Sequence, residues 1–510
     1  MQRPAPSRIA HTAHLARTSA QRLARGCIPV LLALPALLHA QGLPAEFDAA
    51  LARAKVPRDA VAVLVQDTAG TTARINHRST VPMNPASVLK LVTTFAALDM
   101  LGPAFTWTTP VYVDGPIQNG VLQGSLYIKG QGDPKLVLER MWLLLRRLQG
   151  AGIRQIQGDV VLDRSALEVP EADPSQFDGE PLRPYNASPD ALLLNYKAVV
   201  MTFTPLATSA QALVQFDPPL HGVQMQSTVP LSQAADCGDY RAALKADFSD
   251  ASRIRFAGSY AAACGEKTWP LAYADPKSYS LRALQGMWLE MGGKLQGTVR
   301  FGNVPAALLA ARPLLESQSP ALADIVRDIN KYSNNVMAQQ LFLTLGRLPG
   351  STPAASGGVG PGPGMASWPN GNFAAARETV TRWWKERIGP DDVPVLDNGS
   401  GLSRNERISA AALNRLLQQA YRSGAMAELM SSLPITGVDG TLRRFKTRTA
   451  GSAHLKTGSL SNVIARAGYV DAANGKRYVL VALVNHANAN TEAMRSAMDV
   501  LLDAVTRLEN

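Results

Sequence analysis

Several residue patterns that mark common enzyme classes are absent from this chain of 510 residues. There is no H-E-x-x-H, and the histidines after residue 40 (His77, His221, His454 and His486) show no ligand spacing, so no metal site is expected. There is no G-x-S-x-G, which disfavours a conventional Ser-His-Asp esterase. Beyond the N-terminal leader, no apolar run approaches the about 18 residues that a transmembrane helix needs.

Cysteine is also scarce, with three in the whole chain. Cys27 lies at the start of an apolar run rather than just after it, which argues against a lipid anchor. Cys237 and Cys264 remain as an even pair. In an exported chain such a pair favours a disulfide, with two unpaired buried thiols as the alternative.

The first 40 residues have the composition of an export signal. Five arginines without one acidic residue precede an apolar run from Ile28 to Leu38, and Leu38-His39-Ala40 resembles a cleavage site. We therefore expect a periplasmic protein with no transmembrane segment after signal removal, either soluble or peripherally attached. The formal charge of +11 falls to about +6 without the five arginines, an excess that does not require a nucleic-acid partner.

The two ends of the chain predict one antiparallel sheet. The predicted strands are Val61 to Asp67, Thr71 to Asn76, Ser452 to Leu460, Ala465 to Val470 and Arg477 to Asn485. The last two flank Asn474-Gly475, a strong hairpin turn. Thr491 to Leu508 has the period of an amphipathic helix, and Ser87 is predicted to open another helix. Such a sheet covered by helices is an α+β core.

The middle of the chain predicts a large β-rich insertion into that core. Short strands such as Gly124 to Lys129 and Gln157 to Asp163 flank one helical run, Pro134 to Leu148. Pro349 to Asn372, rich in glycine, proline, serine and alanine, is predicted to be a mobile loop. The expected regions are a signal peptide at 1–40, a core formed by 41–106 and 306–510, an inserted domain II formed by 107–168 and 275–305, and a nested β-rich domain III at 169–274.

A serine and a lysine lie one helical turn apart at Ser87 and Lys90, and Lys90 is the one lysine with a serine three positions before it. Residues i and i+3 share a helix face, so the hydroxyl and the amine can act as nucleophile and base. The amine accepts a proton only when neutral. Lowering its pKa from about 10.4 to about 7.5 corresponds to roughly 4 kcal/mol, which requires burial and a second cation such as Lys456. The alternative is that Ser87 is a helix cap and Lys90 an exposed lysine.

A second motif is Ser333-Asn334-Asn335, which follows a predicted helix from Pro320 to Lys331. Ser333 could relay a proton to a leaving amine, and Asn335 could hold Lys90 and a substrate amide. A capping or turn element explains the same residues.

The third motif is Lys456-Thr457-Gly458, on a predicted edge strand. Lys456 and Gly458 alternate to one face of such a strand, and glycine allows a substrate backbone to approach closely. Thr457 can donate a hydrogen bond to a carboxylate. A plain strand end with a solvated lysine is the alternative.

In this order the three motifs form the signature of penicillin-binding proteins and class A β-lactamases. Three further segments resemble blocks of the class C low-molecular-mass penicillin-binding proteins, the D-alanyl-D-alanine carboxypeptidase and endopeptidase family: Gly124 to Pro134, Asp397 to Arg404, and Leu433 to Leu442. The 246 positions from Ser87 to Ser333 also resemble the large insert of that family. The resemblance covers essentially the whole chain after the leader.

The resemblance assigns a role to each motif. Ser87 would be the acylated nucleophile and Lys90 its base, with Ser333 and Asn335 as the second catalytic motif. The substrate would be held by Lys456, Thr457, Gly458 and Ser459, and the backbone N–H groups of Ser87 and Ser459 would form the oxyanion hole. Asn334 stands where family members commonly have Asp, a minor departure because that position has no catalytic assignment. His454, two residues before Lys456, is given no role.

The fold and activity implied by this resemblance are a transpeptidase-like α+β core and a serine DD-peptidase. Such an enzyme would cleave the D-Ala-D-Ala bond of peptidoglycan stem peptides, D-amino-acid cross-links, or both, without a cofactor or metal. β-Lactams would acylate the same serine. Two alternatives use the same sequence: a serine β-lactamase or esterase with faster deacylation, and a catalytically weak wall-binding scaffold whose inserted regions are the functional part.

Overall fold

The computed structural model describes residues 42–349, 365–445 and 449–509. The predicted signal peptide at 1–40 lies outside the described residues, as do positions 350–364 of the predicted loop. Within the described ranges, no helix is both long and apolar enough to cross a bilayer.

The described residues form twelve α-helices and twenty-two strands. The helices are α1 Ala45–Arg53, α2 Lys90–Leu101, α3 Leu138–Gly150, α4 Tyr240–Leu244, α5 Tyr279–Glu290, α6 Ala306–Leu309, α7 Leu322–Tyr332, α8 Asn335–Leu345, α9 Phe373–Arg387, α10 Ala410–Arg422, α11 Met426–Ser432 and α12 Glu492–Thr506. The strands are β1 Val61–Asp67, β2 Ala73–His77, β3 Thr108–Val113, β4 Ile117–Gln118, β5 Val121–Leu122, β6 Leu126–Lys129, β7 Gln155–Ile156, β8 Val160–Asp163, β9 Ala198–Pro205, β10 Gln211–Asp217, β11 Gln224–Met225, β12 Thr228–Ser232, β13 Ala246–Asp247, β14 Arg253–Phe256, β15 Tyr260–Ala261, β16 Lys267–Ala272, β17 Lys294–Leu295, β18 Val299–Phe301, β19 Leu315–Gln318, β20 Ala453–Leu460, β21 Val463–Asp471 and β22 Arg477–Asn485.

The two ends of the chain form one five-stranded sheet in the order β2-β1-β22-β21-β20, and every neighbouring pair is antiparallel. The prediction of a sheet completed by both chain ends is therefore confirmed. β1 and β22 have the predicted bounds, whereas β2 begins two residues later than predicted and ends one residue later.

This sheet is buried on both faces, as the alternation of side chains along β1 shows. Val61, Val63 and Val65 point into a cluster formed with α1 and α12, while Ala62 and Leu64 point into a larger cluster built mainly by α2, α7, α8, α9 and α10. Since successive strand residues face opposite sides, an uninterrupted apolar strand indicates a sheet covered on both faces. The predicted α+β core is confirmed.

The inserted region carries four further sheets. Their orders are β18-β8-β6-β3-β19, β17-β7-β5-β4, β15-β12-β10-β9-β16 and β11-β14-β13. The first two pack with α3 and α5, and the last two share a separate cluster around Phe203 and Tyr260. This arrangement agrees with the expected β-rich insertion.

The strand pairing supports the predicted division into domains, which we propose with one change. β19 pairs antiparallel with β3 and so completes a sheet of the inserted region. The predicted core segment 306–510 includes β19, because residues 315–318 give no sequence signal that separates them from the helix that follows. We therefore propose that domain II extends to Gln318 and that the chain returns to the core with α7.

Cys237 and Cys264 form a disulfide, with Cα atoms 4.5 Å apart. Cys237 follows β12 and Cys264 ends a short 3-10 helix before β16, so the bond joins two connections of the nested module. The expected bridge is confirmed, and the alternative of two free thiols is wrong.

Candidate active site

Ser87 lies in a 3-10 turn, Ala86–Leu89, which leads into α2 at Lys90. The α-helix therefore begins one turn later than predicted, at Lys90, and the prediction that Ser87 opens it is wrong. Ala86 adopts φ +46°, a conformation that a residue with a Cβ rarely takes. Such strain persists only where the surroundings hold it in place.

Two glycines lie very close to the backbone of this turn. A Cβ on Gly458 of β20 would lie 2.5 Å from the Pro85 carbonyl oxygen, and one on Gly401 would lie 2.1 Å from that of Ala86. Both positions therefore require glycine for the close approach of backbone to backbone. That Gly458 also admits a substrate backbone stays a prediction.

Lys90 is completely buried, and its amine has three partners. Nζ lies 2.9 Å from Ser87 Oγ and 2.6 Å from Asn335 Oδ1, and it also donates to the Ser400 carbonyl oxygen. The alternative of an exposed lysine is wrong. Ser87 makes no capping bond to α2, so the helix-cap alternative is wrong as well.

The second motif spans the junction between α7 and α8. Ser333 ends α7 in a left-handed conformation, with φ +56°, and Asn335 is the first residue of α8. Asn334 caps α8 by accepting the Met337 N–H at 3.0 Å. Asn and Asp serve equally well at an N-cap, so Asn334 preserves the local structure although family members commonly have Asp at this position. The capping or turn alternative thus describes the backbone of Ser333 and the side chain of Asn334.

The third motif lies on β20, an edge strand as predicted. Lys456 is fully buried, and its Nζ donates to Ser333 Oγ at 2.8 Å and to the Thr457 carbonyl at 2.9 Å. The alternative of a solvated lysine is wrong. Thr457 Oγ1 lies 2.8 Å from Thr441 Oγ1, and the exposed Ser459 accepts a hydrogen bond from Asn490 at 2.9 Å.

Burial governs the charge of both amines. Burial, and next the positive charge of Lys456, lower the pKa of Lys90 well below its usual value, while Glu406 opposes this shift. Burial alone lowers the pKa of Lys456 to about 7. Within the described residues neither amine forms a salt bridge. A neutral Lys90 beside Ser87 is the state that these surroundings favour.

Several residues that shape the site were not singled out by sequence reasoning: Ser400, Glu406, Thr441 and Asn490. Ser400 and Thr441 lie in two segments noted only for their resemblance to family blocks, which is the one signal that could have found them. Ser400 contributes a backbone carbonyl, so its residue type carries no information about its contact with Lys90.

The rim of the site also includes the inserted region. The Arg404 guanidinium lies 4.9 Å from the centre of the Phe177 ring and donates to the Ser461 carbonyl just after β20. On the opposite side Tyr332, beside Ser333, is 67% exposed. His454 contacts the Met430 carbonyl at 3.2 Å, on the side of α11. The inserted region therefore reaches the end of β20 that lies beyond Ser459.

Comparison with known proteins places this fold and site in a family. The profile of the D-Ala-D-Ala carboxypeptidase 3 (S13) family matches residues 43–360 and 369–505. The chain belongs to this family. The predicted membership among class C low-molecular-mass penicillin-binding proteins is confirmed, and so is the predicted serine D-Ala-D-Ala carboxypeptidase class.

Individual relatives align with 79% to 96% of this S13 family member. It is 26% identical over 509 residues to a D-alanyl-D-alanine carboxypeptidase from an Actinomadura species, covering 96% of this chain and 90% of that protein. It is 24% identical over 407 residues to the D-alanyl-D-alanine carboxypeptidase DacB of Haemophilus influenzae, covering 79% and 80%. The crystal structure of penicillin-binding protein 4 (dacB) from Haemophilus influenzae superposes with a TM-score of 0.68 at 21% identity, covering 91% of this chain and 99% of that one.

Proposed function

We propose that Ser87 is the nucleophile of this serine D-Ala-D-Ala peptidase and that Lys90 is its general base. The observation that carries the proposal is the 2.9 Å contact between Ser87 Oγ and the buried Lys90 amine. A serine hydroxyl is a poor nucleophile until a base takes its proton. The lowered pKa of Lys90 increases the fraction of neutral amine that can act as that base.

The reaction proceeds through an acyl-enzyme. Neutral Lys90 takes the Ser87 proton while Oγ attacks the carbonyl carbon of the penultimate D-Ala of a stem peptide. The backbone N–H groups of Ser87 and Ser459 stabilise the oxyanion. When the C–N bond breaks, the leaving amine takes up the proton that Ser87 gave to Lys90, passed on through Ser333, which hydrogen-bonds Lys456. Water then attacks the ester and gives a proton to Lys90, which passes it to Ser87 Oγ as the acid is released.

The substrate carboxylate is held by the outer part of β20. Thr457 is partly exposed there, and its hydroxyl is already oriented by Thr441. Lys456 lies behind it with its amine directed at Ser333. A carboxylate bound at Thr457 would meet a hydroxyl donor and a buried cation together, which favours a substrate that ends in a free carboxyl group.

Both carboxypeptidase and endopeptidase reactions are compatible with this chemistry, because they differ in what is attached to the leaving amine. We propose carboxypeptidase activity on stem peptides as the principal reaction, in line with the names of the two aligned relatives. Cleavage of cross-links requires room beyond Thr457 for a second peptide.

The site of action proposed for this enzyme is the periplasm. The support is the basic, then apolar, composition of residues 1–40 and the location of peptidoglycan substrates. Peripheral contact with a membrane or the wall is compatible with the modest positive charge. The same modest charge does not require nucleic acid as a partner.

Labelling with a fluorescent penicillin, resolved on a denaturing gel, tests the proposed roles. A covalent band is expected for the wild type and is lost in Ser87→Ala and Lys90→Ala, while the exposed-lysine control Lys476→Ala stays labelled. A labelled Ser87→Ala protein would refute the assignment. Rapid loss of the label with release of hydrolysed drug would instead indicate a β-lactamase, and an unlabelled wild type would indicate a scaffold.

Digestion of purified muropeptides then separates the two peptidase activities. Release of D-Ala from monomeric pentapeptides is expected. Conversion of cross-linked dimers to monomers would add endopeptidase activity. Failure to release D-Ala from any pentapeptide would contradict the proposed principal reaction.

A further inference from the structure

Glu406 is a buried carboxyl that lies outside the three motifs, yet it organises the backbone next to them. Its side chain is completely buried. Oε1 accepts three backbone N–H groups, from Asp397 at 3.2 Å, Asn398 at 3.2 Å and Gly399 at 3.1 Å. Oε2 has no hydrogen-bond partner in the described part of the chain.

The loop that Glu406 holds is in direct contact with α2. The Gly399 carbonyl accepts the Thr93 hydroxyl at 2.6 Å, and the next carbonyl, that of Ser400, accepts the Lys90 amine. Gly401 then packs against the backbone of Ala86. The position of the loop therefore fixes one of the three partners of Lys90 and supports the turn that carries Ser87.

We propose that Glu406 is a positioning residue for the acylation of Ser87, which holds the loop whose Ser400 carbonyl receives the Lys90 amine. The inference deepens the proposed function and rests on the roles given there to Ser87 and Lys90. Glu406 acts through the loop and touches neither substrate nor the reacting atoms.

A carboxyl is a costly choice for a buried backbone acceptor, because burial penalises its charged form. Burial raises the pKa of Glu406 to about 7, with Asp397 adding to the rise while the three N–H groups oppose it. When ionised, Glu406 in turn raises the pKa of Lys90. Its charge thus opposes formation of the free amine, in addition to the mechanical role.

Two charged groups interact directly with Glu406: Asp397 on its own loop and Lys90 on α2. Two more lie one step away, since Lys456 on β20 acts on Lys90 and Arg377 on α9 donates to the Asp397 carbonyl at 3.1 Å. Arg407, the next residue, donates to the Glu406 backbone carbonyl at 2.8 Å. Among these, Lys456 lowers the pKa of Lys90 and Glu406 raises it, so the two act in opposite directions on the same amine.

Two substitutions separate the loop contact from the charge. Glu406→Gln keeps an oxygen that can accept the three N–H groups but removes the negative charge. Glu406→Ala removes both. Glu378→Gln, a largely exposed carboxyl on α9, is the matched control.

The experiment measures the acylation rate constant with a fluorescent penicillin from pH 5 to pH 9, beside the thermal unfolding temperature of each protein. We expect Glu406→Ala to be acylated at least tenfold more slowly than wild type, and Glu406→Gln to recover most of that rate. Removing the charge lowers the pKa of Lys90, so the rise of the Glu406→Gln rate with pH should move to lower pH. Glu378→Gln should match the wild type in every respect.

Wild-type rates in Glu406→Ala would overturn the inference, and a wild-type pH profile in Glu406→Gln would show that the charge of Glu406 does not act on Lys90. If Glu406→Ala fails to fold, the folded Glu406→Gln protein decides the inference: a rate close to that of the wild type supports it, and a rate at least tenfold lower would overturn it. Ser87→Ala, measured in the same experiment, distinguishes failure of the proposed function from failure of this inference. An unlabelled wild type would defeat the proposed function and this inference with it, whereas a labelled wild type with unaffected Glu406 variants would defeat this inference alone.

Discussion

The Lys456 amine donates to the Ser333 hydroxyl at 2.8 Å, so the third motif is joined to the second without any substrate. The two residues lie 123 positions apart and come from β20 and the end of α7. Lys90 is joined to Asn335 in the same way, at 2.6 Å. The site is therefore preorganised: each amine is already held by a residue of the second motif.

Replacing Lys456 by Met should make acylation require a higher pH. Lys456 lowers the pKa of Lys90 through its charge, so its loss raises that pKa, and the free amine then forms only at higher pH. We expect slower acylation at pH 7 that recovers in part by pH 9. The measurement is the acylation rate constant against pH with a fluorescent penicillin.

Lys476→Met serves as the control for Lys456→Met, because Lys476 is exposed in the turn between β21 and β22. An equal fall in the acylation rate constant of Lys456→Met at every pH would show that Lys456 contributes only to binding the penicillin. That result would contradict its proposed effect on the charge of Lys90.

Ser333→Ala should slow turnover of a D-Ala-D-Ala peptide without a comparable loss of stability. The hydroxyl links Lys456 to the leaving amine, and general acid–base groups typically contribute about 100-fold or more. We expect kcat to fall by about that factor while the unfolding temperature stays near that of the exposed control, Ser461→Ala. Wild-type turnover in Ser333→Ala would remove Ser333 from the proton path.

Gly458→Ala should disturb the nucleophile turn. The added Cβ would meet the Pro85 carbonyl oxygen at 2.5 Å, and backbone atoms cannot give way cheaply. Overpacking of this kind costs about 1–3 kcal/mol, and it is directed here at the turn that carries Ser87. Urea unfolding should show the loss, and penicillin acylation should slow.

Gly424→Ala is the control for the glycine substitution, since a Cβ there meets no atom within 4 Å. If Gly458→Ala kept both the stability and the acylation rate of Gly424→Ala, the close packing between β20 and the turn would not constrain Ser87 as described.

The disulfide should stabilise the nested module without affecting the chemistry. Closing a loop with a sequence separation of 27 residues is worth about 3 to 4 kcal/mol on the chain-entropy estimate. Cys237→Ser together with Cys264→Ser should lower the temperature of an unfolding transition while penicillin labelling persists. Loss of labelling in the folded double variant would show instead that the module supports Ser87.

The sequence predicts much of the core because its signals are local. The apolar run Val61 to Asp67 and the turn Asn474-Gly475 each specify an element within a few residues, and the pairing of β1 with β22 follows from the apolar character of both. The three motifs are local too, so their side chains could be selected before their distances were known. Their catalytic roles stay predictions for the experiments above.

The features that sequence reasoning missed depend on contacts with backbone segments that lie far away in the sequence. The positive φ of Ala86 is sustained by the close approach of Gly401 and Gly458, which are 315 and 372 positions away. The pairing of β19 with β3 likewise joins segments some 200 positions apart. Neither a strained turn nor a backbone carbonyl partner, such as that of Ser400, produces a residue pattern that can be recognised in the sequence.

The most direct test of the account is to map the penicillin adduct by mass spectrometry and to follow its rate of formation. The account predicts one adduct in the wild type, on the tryptic peptide Ser79 to Lys90 and located at Ser87. In Lys90→Ala, followed by the mass of the intact protein, the adduct should form far more slowly than in the wild type. An adduct on any other residue, or a Lys90→Ala protein acylated as fast as the wild type, would contradict the claim that a buried neutral amine activates this serine.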